Sequence, residues 1–323
     1  MFSKMIEVLK NDNRKLVFTE GSDSRILGAA SRLVKEGLLT PILLGDKVEI
    51  EAAAKNQDVD LAGMELYDPA KFGGIEVMIE RMYELRKGKQ DFEQCKNALR
   101  QPNYFGTMMV QMGMADGLLG GATYSTADAI RPALQLIKTK PTNKIVSSFF
   151  ILKREVNGSN EMYAMGDCAI NLFPDEDEIM EIAVETAKGV KQFGIEPKVA
   201  LLSYSTMGLG KGESPTKMRR AAERLNTQDI DFDVDGELQF DAAFVPEVGQ
   251  IKAPESKVAG QANTFIFPDI NTGNIAYKMA QRLGGFEAIG PMLRGLNAPI
   301  NDLSRGCSED EVYKMAIITA VIQ

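Results

Sequence analysis

Histidine is absent from this 323-residue chain. Its absence excludes Ser-His-Asp and Cys-His catalysis, histidine metal sites and histidine proton shuttles. Any general base must therefore be a carboxylate, a lysine, a tyrosine or a thiolate. Cysteine is scarce as well, and Cys95, Cys168 and Cys307 lie far apart in the sequence. This odd, scattered set predicts neither a disulfide framework nor a zinc cluster, and it favours the reducing cytoplasm.

Long apolar runs are also missing. No stretch reaches the roughly 18 residues that a membrane-spanning helix needs, and the longest candidates, IVSSFFIL and MAIITAVI, match a strand or part of a helix. Lys4 and Glu7 interrupt the first segment before the apolar core of a signal peptide develops. We therefore expect a chain that is neither exported nor inserted in a membrane.

The charge balance limits the kinds of partner. The chain carries 37 basic and 45 acidic residues, a formal net charge of −8, and 44% of its residues are hydrophobic. An acidic balance argues against nucleic acid as the main partner, because that polyanion requires a dominant basic face. An anionic ligand would instead be bound by a few well-placed cations.

The order of apolar segments predicts an α/β fold with largely parallel sheets flanked by helices. Short strand-like runs such as KLVFTEG and KVALLSY alternate with longer helical runs. The length suggests two domains, and the polar segment KTKPTNKI is a candidate linker. Asn157-Gly158 predicts a hairpin turn just beyond it. We expect residues 1–145 and about 297–323 to form one domain and residues 146–296 the other.

Cations follow several of the predicted strands. Arg25, Arg131, Lys211 and Arg305 each lie in or near a segment that leads from a strand into a helix. Ligands of α/β proteins bind at such strand ends, where helix N-termini offer free amides. Four cations at equivalent ends of one sheet suggest an anionic ligand with several phosphates. For Arg25 and Arg131, which lie inside predicted helices, an ion pair on the helix surface is the more common role of an arginine.

Two further strand ends offer amides rather than charge. The Gly208, Gly210 and Gly212 loop permits close backbone approach to an anion, but its GxGxG spacing is neither a dinucleotide fingerprint nor a P-loop. A tight structural turn and a phosphate cradle both fit it. The segment FPDINTGN supplies Asn271 and Asn274 at another strand end.

The segment NDLSRGCSEDE combines a guanidinium, hydroxyls and acids. Ser308 and Glu311 have the spacing of a capping box that opens the final helix. The same geometry brings Glu311, Ser304 and Arg305 within about one turn, so a structural and a catalytic role are both consistent with it.

The longest motifs identify a family resemblance. The segments DGLLGGATYSTADAIRPALQLIKTKP, KAPESKVAGQANTFIFPDINTGNIAYKMAQRLGG and AIGPMLRGLNAPINDLSRGC, with DCAIN, LLSYST and DGELQFDAAFVPE, resemble the phosphate acetyltransferases (phosphotransacetylases). These enzymes belong to the phosphate acetyl/butyryltransferase family. The likeness spans nearly the whole chain. It implies reversible acetyl transfer between acetyl phosphate and coenzyme A, with acetyl-CoA and phosphate as the other substrates, in acetate metabolism.

The resemblance also implies an architecture. Members of the family have two α/β domains of the isocitrate-dehydrogenase-like kind, with the active site in the cleft between them, and are usually homodimers. It implies no tightly bound cofactor and no metal, with coenzyme A serving as a substrate.

Several site residues are implied by the family motifs. Arg305 would contact acetyl phosphate, with Ser304 beside it as hydrogen-bond donor. Arg131 and Arg86 correspond to arginines implicated in substrate or coenzyme binding, Arg25 to one that meets a coenzyme A phosphate, and Arg282 to another family arginine. The small and polar residues of the strand-end loops complete the predicted substrate-binding set: Ser125, Thr126, Ser205, Thr206, Gly208, Gly210, Lys211, Asn271, Gly273 and Asn274.

The predicted base departs from the family pattern. The family has an aspartate where this chain has Glu311, with Asp310 immediately before it, so both remain candidates. Tyr124 also stands where a histidine is common, and Met207 where lysine or glycine is. We expect Glu311 or Asp310 to take the proton of the coenzyme A thiol as it attacks acetyl phosphate in a ternary complex.

Other interpretations remain open at this point. Cys307 could carry the acetyl group covalently, since it lies beside Arg305 at a helix start. The chain could be a phosphate butyryltransferase or another acyl-phosphate:CoA acyltransferase. From different classes, an NAD(P)-dependent dehydrogenase shares the architecture, and a non-catalytic coenzyme A-binding protein would explain the glutamate.

Overall fold

A computed structural model describes residues 2–322 and divides the chain into two compact units. One unit comprises the chain up to Lys140 together with the part from Leu296 onward. The other comprises Pro141–Gly295. Each unit is built on its own sheet. That the two units are separate folding domains stays a prediction.

The structure contains helices and strands in alternation. The strands are β1 (Lys15–Phe18), β2 (Thr40–Leu44), β3 (Glu65–Tyr67), β4 (Gly117–Gly120), β5 (Ser147–Val156), β6 (Ser159–Gly166), β7 (Lys198–Leu202), β8 (Asp233–Leu238), β9 (Thr264–Ile266), β10 (Glu287–Arg294) and β11 (Ile300–Asp302). The helices are α1 (Phe2–Lys10), α2 (Ser24–Lys35), α3 (Lys47–Asn56), α4 (Ile75–Leu85), α5 (Phe92–Ala98), α6 (Pro102–Gln111), α7 (Thr126–Pro132), α8 (Glu176–Lys191), α9 (Glu213–Leu225), α10 (Phe240–Phe244), α11 (Pro246–Lys252), α12 (Ile270–Arg282) and α13 (Glu309–Val321).

The first unit has a five-stranded sheet in the order β11-β4-β1-β2-β3, and every pairing in it is parallel. In its centre, Val17 pairs with Ile42 on one side and with Leu118 on the other. All three side chains are buried, as expected for a parallel sheet that helices cover on both faces. Helix α13 packs against α1, α2 and β4, so the last part of the chain completes this unit.

The second unit has a six-stranded sheet in the order β10-β5-β6-β9-β7-β8. Strands β5 and β6 form the predicted hairpin, with Asn157 and Gly158 at φ values of 51° and 78° in the turn. Strand β10 is antiparallel to β5, whereas β6, β9, β7 and β8 are mutually parallel. The predicted class, α/β with largely parallel sheets, is therefore confirmed.

Strand polarity determines where a ligand can bind. In the first unit, the carboxyl ends of β1, β4 and β11 lie side by side at one edge of the sheet, because the three strands are adjacent and parallel. The loops that follow them lead into α2, α7 and α13. The corresponding edge of the second unit carries the loops after β6, β9, β7 and β8.

The prediction of four cations at one sheet edge is wrong for Lys211. Arg25, Arg131 and Arg305 belong to the first unit, but Lys211 follows β7 of the second sheet. Alternation of strands and helices is the same in both units, so periodicity does not show where one sheet ends and the next begins. In residues 2–322, no helix combines the length and the apolar character needed to cross a bilayer.

Candidate active site

Arg25, in the first turn of α2, ties together the three loops at the carboxyl edge of the first sheet. Its Nε and Nη2 bind the two carboxylate oxygens of Asp23 at 2.9 and 2.8 Å. Nη2 also donates to the carbonyl of Ala122 at 3.0 Å, and Nη1 donates to the carbonyls of Arg305 and Cys307 at 2.9 and 3.2 Å. A guanidinium has five N–H donors, and these contacts engage all of them.

The loop held by Arg25 presents Ser304 and Arg305 to solvent. Both residues are exposed, and the amide of Gly306 donates to the Ser304 hydroxyl at 3.3 Å. The Arg305 guanidinium makes no hydrogen bond or ion pair with the described part of the chain. An exposed guanidinium without an internal partner is free to bind a phosphate or a developing oxyanion.

The two candidate bases at the start of α13 have different surroundings. Asp310 pairs with Arg32 at 3.1 Å and with Lys314 at 2.7 Å, and these cations, Lys314 foremost, lower the pKa of its carboxyl. Glu311 forms the predicted capping box: its Oε2 accepts the Ser308 amide at 2.6 Å, and its own amide donates to Ser308 Oγ. Glu311 retains one carboxylate oxygen outside this cap.

Cys307 is buried behind the same loop. Burial raises the pKa of its thiol to about 11, although the charge of Arg25 acts in the opposite direction. Because the thiolate is the nucleophilic form, this environment disfavours Cys307 as an acetyl carrier.

Glu20 is a half-buried residue of this region that the sequence reasoning missed. It follows β1, and its Oε1 accepts the amides of Gly121 and Thr123 at 3.0 and 3.1 Å. Its Oε2 accepts the Thr19 hydroxyl at 2.7 Å, which also lies 2.8 Å from the Tyr124 hydroxyl. Burial raises the pKa of Glu20. The signal was available, since an acidic residue directly beyond a buried strand must find donors within the fold.

Asp302 was missed as well. It is the last residue of β11, only 1% exposed, and its Oδ2 accepts the Thr126 hydroxyl at 2.6 Å. Burial raises the pKa of this carboxyl to about 7. The neighbouring Ser125 caps α7 and donates its hydroxyl to Asp128 at 2.7 Å. Both hydroxyls that were predicted to bind substrate are therefore donated to carboxylates of the chain.

The structure brings Arg86 and Arg131 into the same neighbourhood. Arg86 follows α4 and binds the Gln90 side chain at 2.9 Å, and Arg131 on α7 pairs with Asp128 at 3.2 Å. Both charges act on Tyr104: they oppose the rise in its pKa that burial causes. Both arginines therefore lie close enough to Tyr104 of α6 for their charges to act on its hydroxyl.

In the second unit, an internal carboxylate occupies the glycine loop. Glu237, fully buried at the end of β8, accepts the Ser205 hydroxyl at 2.7 Å and the Gly208 amide at 2.8 Å. The Gly210 amide donates to Ser205 Oγ at 2.7 Å. These two amides therefore point into the chain rather than toward a phosphate. Lys211 on the same loop is exposed and has no side-chain partner in residues 2–322.

The rest of the glycine loop and the start of α12 complete the predicted set in this unit. The Thr206 hydroxyl accepts the Gln239 amide at 3.0 Å. Gly273 packs closely against Asp167 and Cys168, and the Asn274 side chain donates to the Cys168 carbonyl at 3.1 Å. Asn271 is exposed in the first turn of α12.

Arg282 lies apart from the residues just described. It is the last residue of α12, about 16 Å along the helix axis from Asn271 at a rise of about 1.5 Å per residue. The structure therefore does not bring Arg282 to the carboxyl edge with the others.

Residues 2–322 contain no group of three or more Cys, Asp and Glu side chains arranged to hold a metal ion. The loop after β11 places an exposed guanidinium near a carboxylate on an α/β scaffold, an arrangement suited to an anionic substrate.

The chain belongs to the family described as "Phosphate acetyl/butaryl transferase", whose model matches residues 1–320. It is 49% identical to the phosphate acetyltransferase of Bacillus subtilis over 320 residues, covering 99% of this chain and 98% of that one. A Staphylococcus aureus phosphate acetyltransferase is 47% identical over 317 residues, covering 97% and 95%. The crystal structure of a phosphotransacetylase from Streptococcus pyogenes, 51% identical, superposes with a TM-score of 0.94 over 99% of this chain and 97% of that chain.

These similarities confirm the family and the predicted activity. The chain is an enzyme, an acyltransferase with phosphate acetyltransferase activity. The dehydrogenase and non-catalytic interpretations are therefore set aside. The roles of individual side chains rest on the geometry alone.

Proposed function

We propose that the enzyme transfers an acetyl group reversibly between acetyl phosphate and coenzyme A, by direct attack of the coenzyme thiolate in a ternary complex. The observation that carries this proposal is the environment of Arg305, in the loop that leads into α13. Its guanidinium is exposed and has no partner within the described chain. It stands three residues beyond a buried strand and six before Glu311.

Glu311 acts as the general base in this proposal. The coenzyme thiol, like a cysteine, is mostly protonated at neutral pH, so the attack on the acetyl carbonyl requires proton removal. Positioned bases of this kind contribute about 10² to 10⁴ in rate. Asp310 is the weaker candidate, because two cations bind its carboxylate and lower its pKa.

Arg305 and Ser304 stabilise the charge that develops during the reaction. As sulfur bonds to the carbonyl carbon, negative charge grows on the carbonyl oxygen and then leaves with phosphate. Preorganised donors aimed at such charge are often worth more than the base itself. Because phosphate is a good leaving group, this scheme requires no metal ion and no tightly bound cofactor.

The remaining predicted residues supply binding. Arg131 and Arg86 around Tyr104 are suited to a phosphate group of either substrate. For Arg25, a fully engaged guanidinium supports a role in holding the loops, and its contact with a coenzyme A phosphate stays a prediction. For the other members of the predicted set, contact with substrate stays a prediction: Ser125, Thr126, Ser205, Thr206, Gly208, Gly210, Lys211, Asn271, Gly273, Asn274 and Arg282.

A covalent route through Cys307 is the less favoured mechanism, because burial raises the pKa of this thiol to about 11. Exchange of labelled phosphate into acetyl phosphate without coenzyme A would support it.

A homodimer and a cytoplasmic location are part of the proposal. Ile275 and Met279 of α12 and Leu283 at its C-cap form an exposed apolar stripe, suited to a second copy. All three cysteines are unpaired thiols, which fits a reducing compartment.

Glu311→Gln tests the base assignment. Glutamine also serves at the third position of a capping box, as Gln94 does in α5, so the helix start is retained. We expect kcat for acetyl-CoA formation, followed as thioester absorbance, to fall at least about 100-fold with an unchanged unfolding transition.

The matched control is Glu178→Gln, which makes the same change in the capping box of α8. It should retain wild-type kcat. A Glu311→Gln enzyme with wild-type turnover would remove Glu311 from the mechanism, and Asp310→Asn would then be the variant to measure. An acyl-phosphate series with the wild-type enzyme defines the acyl-chain preference.

A further inference from the structure

Two carboxyls, the half-buried Glu20 and the buried Asp302, contact the Gly120–Tyr124 segment. Glu20 accepts the amides of Gly121 and Thr123. Asp302 lies against Gly121, where a Cβ atom would clash with its Oδ1, and Gly121 has a φ of +99°. Neither carboxyl has a cation among its hydrogen-bond partners in the part of the chain that the structure describes. Such a costly arrangement indicates that the position of this segment matters.

One side chain, that of Thr126, donates a hydrogen bond to the Asp302 carboxyl. Its Oδ2 accepts the Thr126 hydroxyl at 2.6 Å, and its Oδ1 accepts no hydrogen bond from residues 2–322. The backbone reinforces the junction, because Asp302 pairs with Gly120 in the sheet and the Leu303 amide donates to the Gly120 carbonyl at 2.7 Å. The carboxyl therefore joins the end of β11 to the first residue of α7.

The two elements joined by this contact carry different parts of the proposed site. Helix α7 bears Arg131, five residues after Thr126. The loop after β11 bears Ser304 and Arg305, two and three residues after Asp302. A shift of α7 relative to that loop would separate the arginines that meet the anionic substrate.

We propose that Asp302 is a positioning residue for acyl transfer: through the Thr126 hydroxyl, it fixes α7 and Arg131 relative to the Ser304–Arg305 loop. Asp302 itself touches no substrate, because it is buried beneath the loops. This inference rests on the proposed function, in which Arg131 and Arg305 act on one acyl phosphate.

Direct binding of substrate by the Thr126 hydroxyl is the competing explanation, and the two make different predictions. A direct contact belongs to Thr126 alone, so removing Asp302 would leave it in place. A positioning contact belongs to the pair, so removal of either partner should have the same effect, and removal of both should add little.

The test measures kcat and KM for acetyl phosphate and coenzyme A in Thr126→Val, Asp302→Ala and the double variant, with thermal unfolding of each. We expect each single change to lower kcat about 10- to 100-fold, because a misplacement of about 1 Å has effects of that size. KM for coenzyme A should change less than about threefold, and the double variant should resemble the single ones. Thr126→Ser, which retains the hydroxyl, should recover most of the activity lost in Thr126→Val.

Two controls keep the outcome interpretable. Thr227→Val removes an exposed hydroxyl of the second unit and should leave kcat unchanged. Asp302→Asn retains an acceptor for Thr126, so it replaces Asp302→Ala if that variant does not fold, with a smaller expected loss of kcat.

The proposal is overturned if Thr126→Val retains wild-type kcat, if only the Thr126 variants lose activity, or if the losses are additive. Failure of the proposed function is distinguishable, because the wild-type enzyme would then form no acetyl-CoA from acetyl phosphate and coenzyme A.

Discussion

Arg25 illustrates how far a sequence can define a single side chain. Its position after a strand and its family motif both indicate an anion ligand, and an ordinary ion pair was the alternative. The structure gives it the ion pair with Asp23 and three carbonyls besides. Those carbonyls come from residues about 100 and 280 positions away. No local pattern encodes such partners, which is why buried or fully engaged polar groups are the least predictable part of the site.

Asp302 gives the enzyme a pH-dependent stability that a single substitution should remove. Burial raises the pKa of its carboxyl to about 7, and Glu20 and Tyr124 are the titratable groups that act on it or feel its charge. Between the ordinary value near 4 and about 7, the folded state binds more protons than the unfolded state. This contribution therefore stabilises the fold at low pH and is lost as the pH rises toward 7.

We expect Asp302→Asn to lack this contribution. We compare the free energy of unfolding of the variant minus that of the wild type at two pH values. This difference should be about 2–3 kcal/mol larger at pH 8 than at pH 5. Urea unfolding at the two pH values measures the difference, and the subtraction cancels the titration of groups that do not feel the charge of Asp302. An equal difference at both values would mean that Asp302 titrates normally.

At the scale of elements, local signals predict helices and their starts better than strands. The capping box of α13 and the Asn157-Gly158 hairpin follow from side-chain and backbone chemistry within a few residues, and both are confirmed. Strand β11 has only three residues and forms because β4 pairs with it, while β10 contains Gly290 and Pro291. Such strands form because they pair with distant segments of the chain, so the local sequence pattern does not predict them.

Helix α7 also departs from its pattern. The segment from Ser125 to Lys138 has one continuous helical period, but α7 ends at Pro132 and a π-helical turn, Ala133–Ile137, follows. Proline lacks the N–H that an uninterrupted helix would use there.

The hairpin of the second unit provides a test at the element scale. Gly158 has a φ of +78°, and a Cβ atom at this position would meet nothing within 4 Å. A side chain at this position would therefore lower stability only through the strain of a positive φ, and not through steric clashes. We expect Gly158→Ala to lower the free energy of unfolding by about 1–2 kcal/mol and Gly158→Asn by clearly less, because asparagine tolerates the left-handed region. Chemical denaturation of both variants measures this, and equal losses would refute the backbone explanation.

At the scale of the whole molecule, each unit has a core of its own. In Pro141–Gly295, two apolar clusters form around the sheet, one that includes Phe150 and Phe265 and one that includes Ile179 and Leu201. Both clusters are built entirely from residues of that segment. The segment is continuous, whereas the first unit is assembled from two separated stretches of chain.

We therefore expect residues 141–295, expressed alone, to fold cooperatively. Far-ultraviolet circular dichroism and urea unfolding should show native-like secondary structure and a single transition. The matched comparison is residues 1–140 alone, which lack β11 and α13 and should not unfold cooperatively. A non-cooperative 141–295 fragment would contradict its status as a domain.

The path of the chain has a consequence for its synthesis. Strand β11 and helix α13, which complete the first sheet and cover α1 and α2, are encoded after the whole second unit. A nascent polypeptide emerging from the ribosome can therefore close its second core before its first. The loop with Arg305 and Glu311 follows the second unit in the chain, so we expect a translation product that stops before it to be inert rather than partly active.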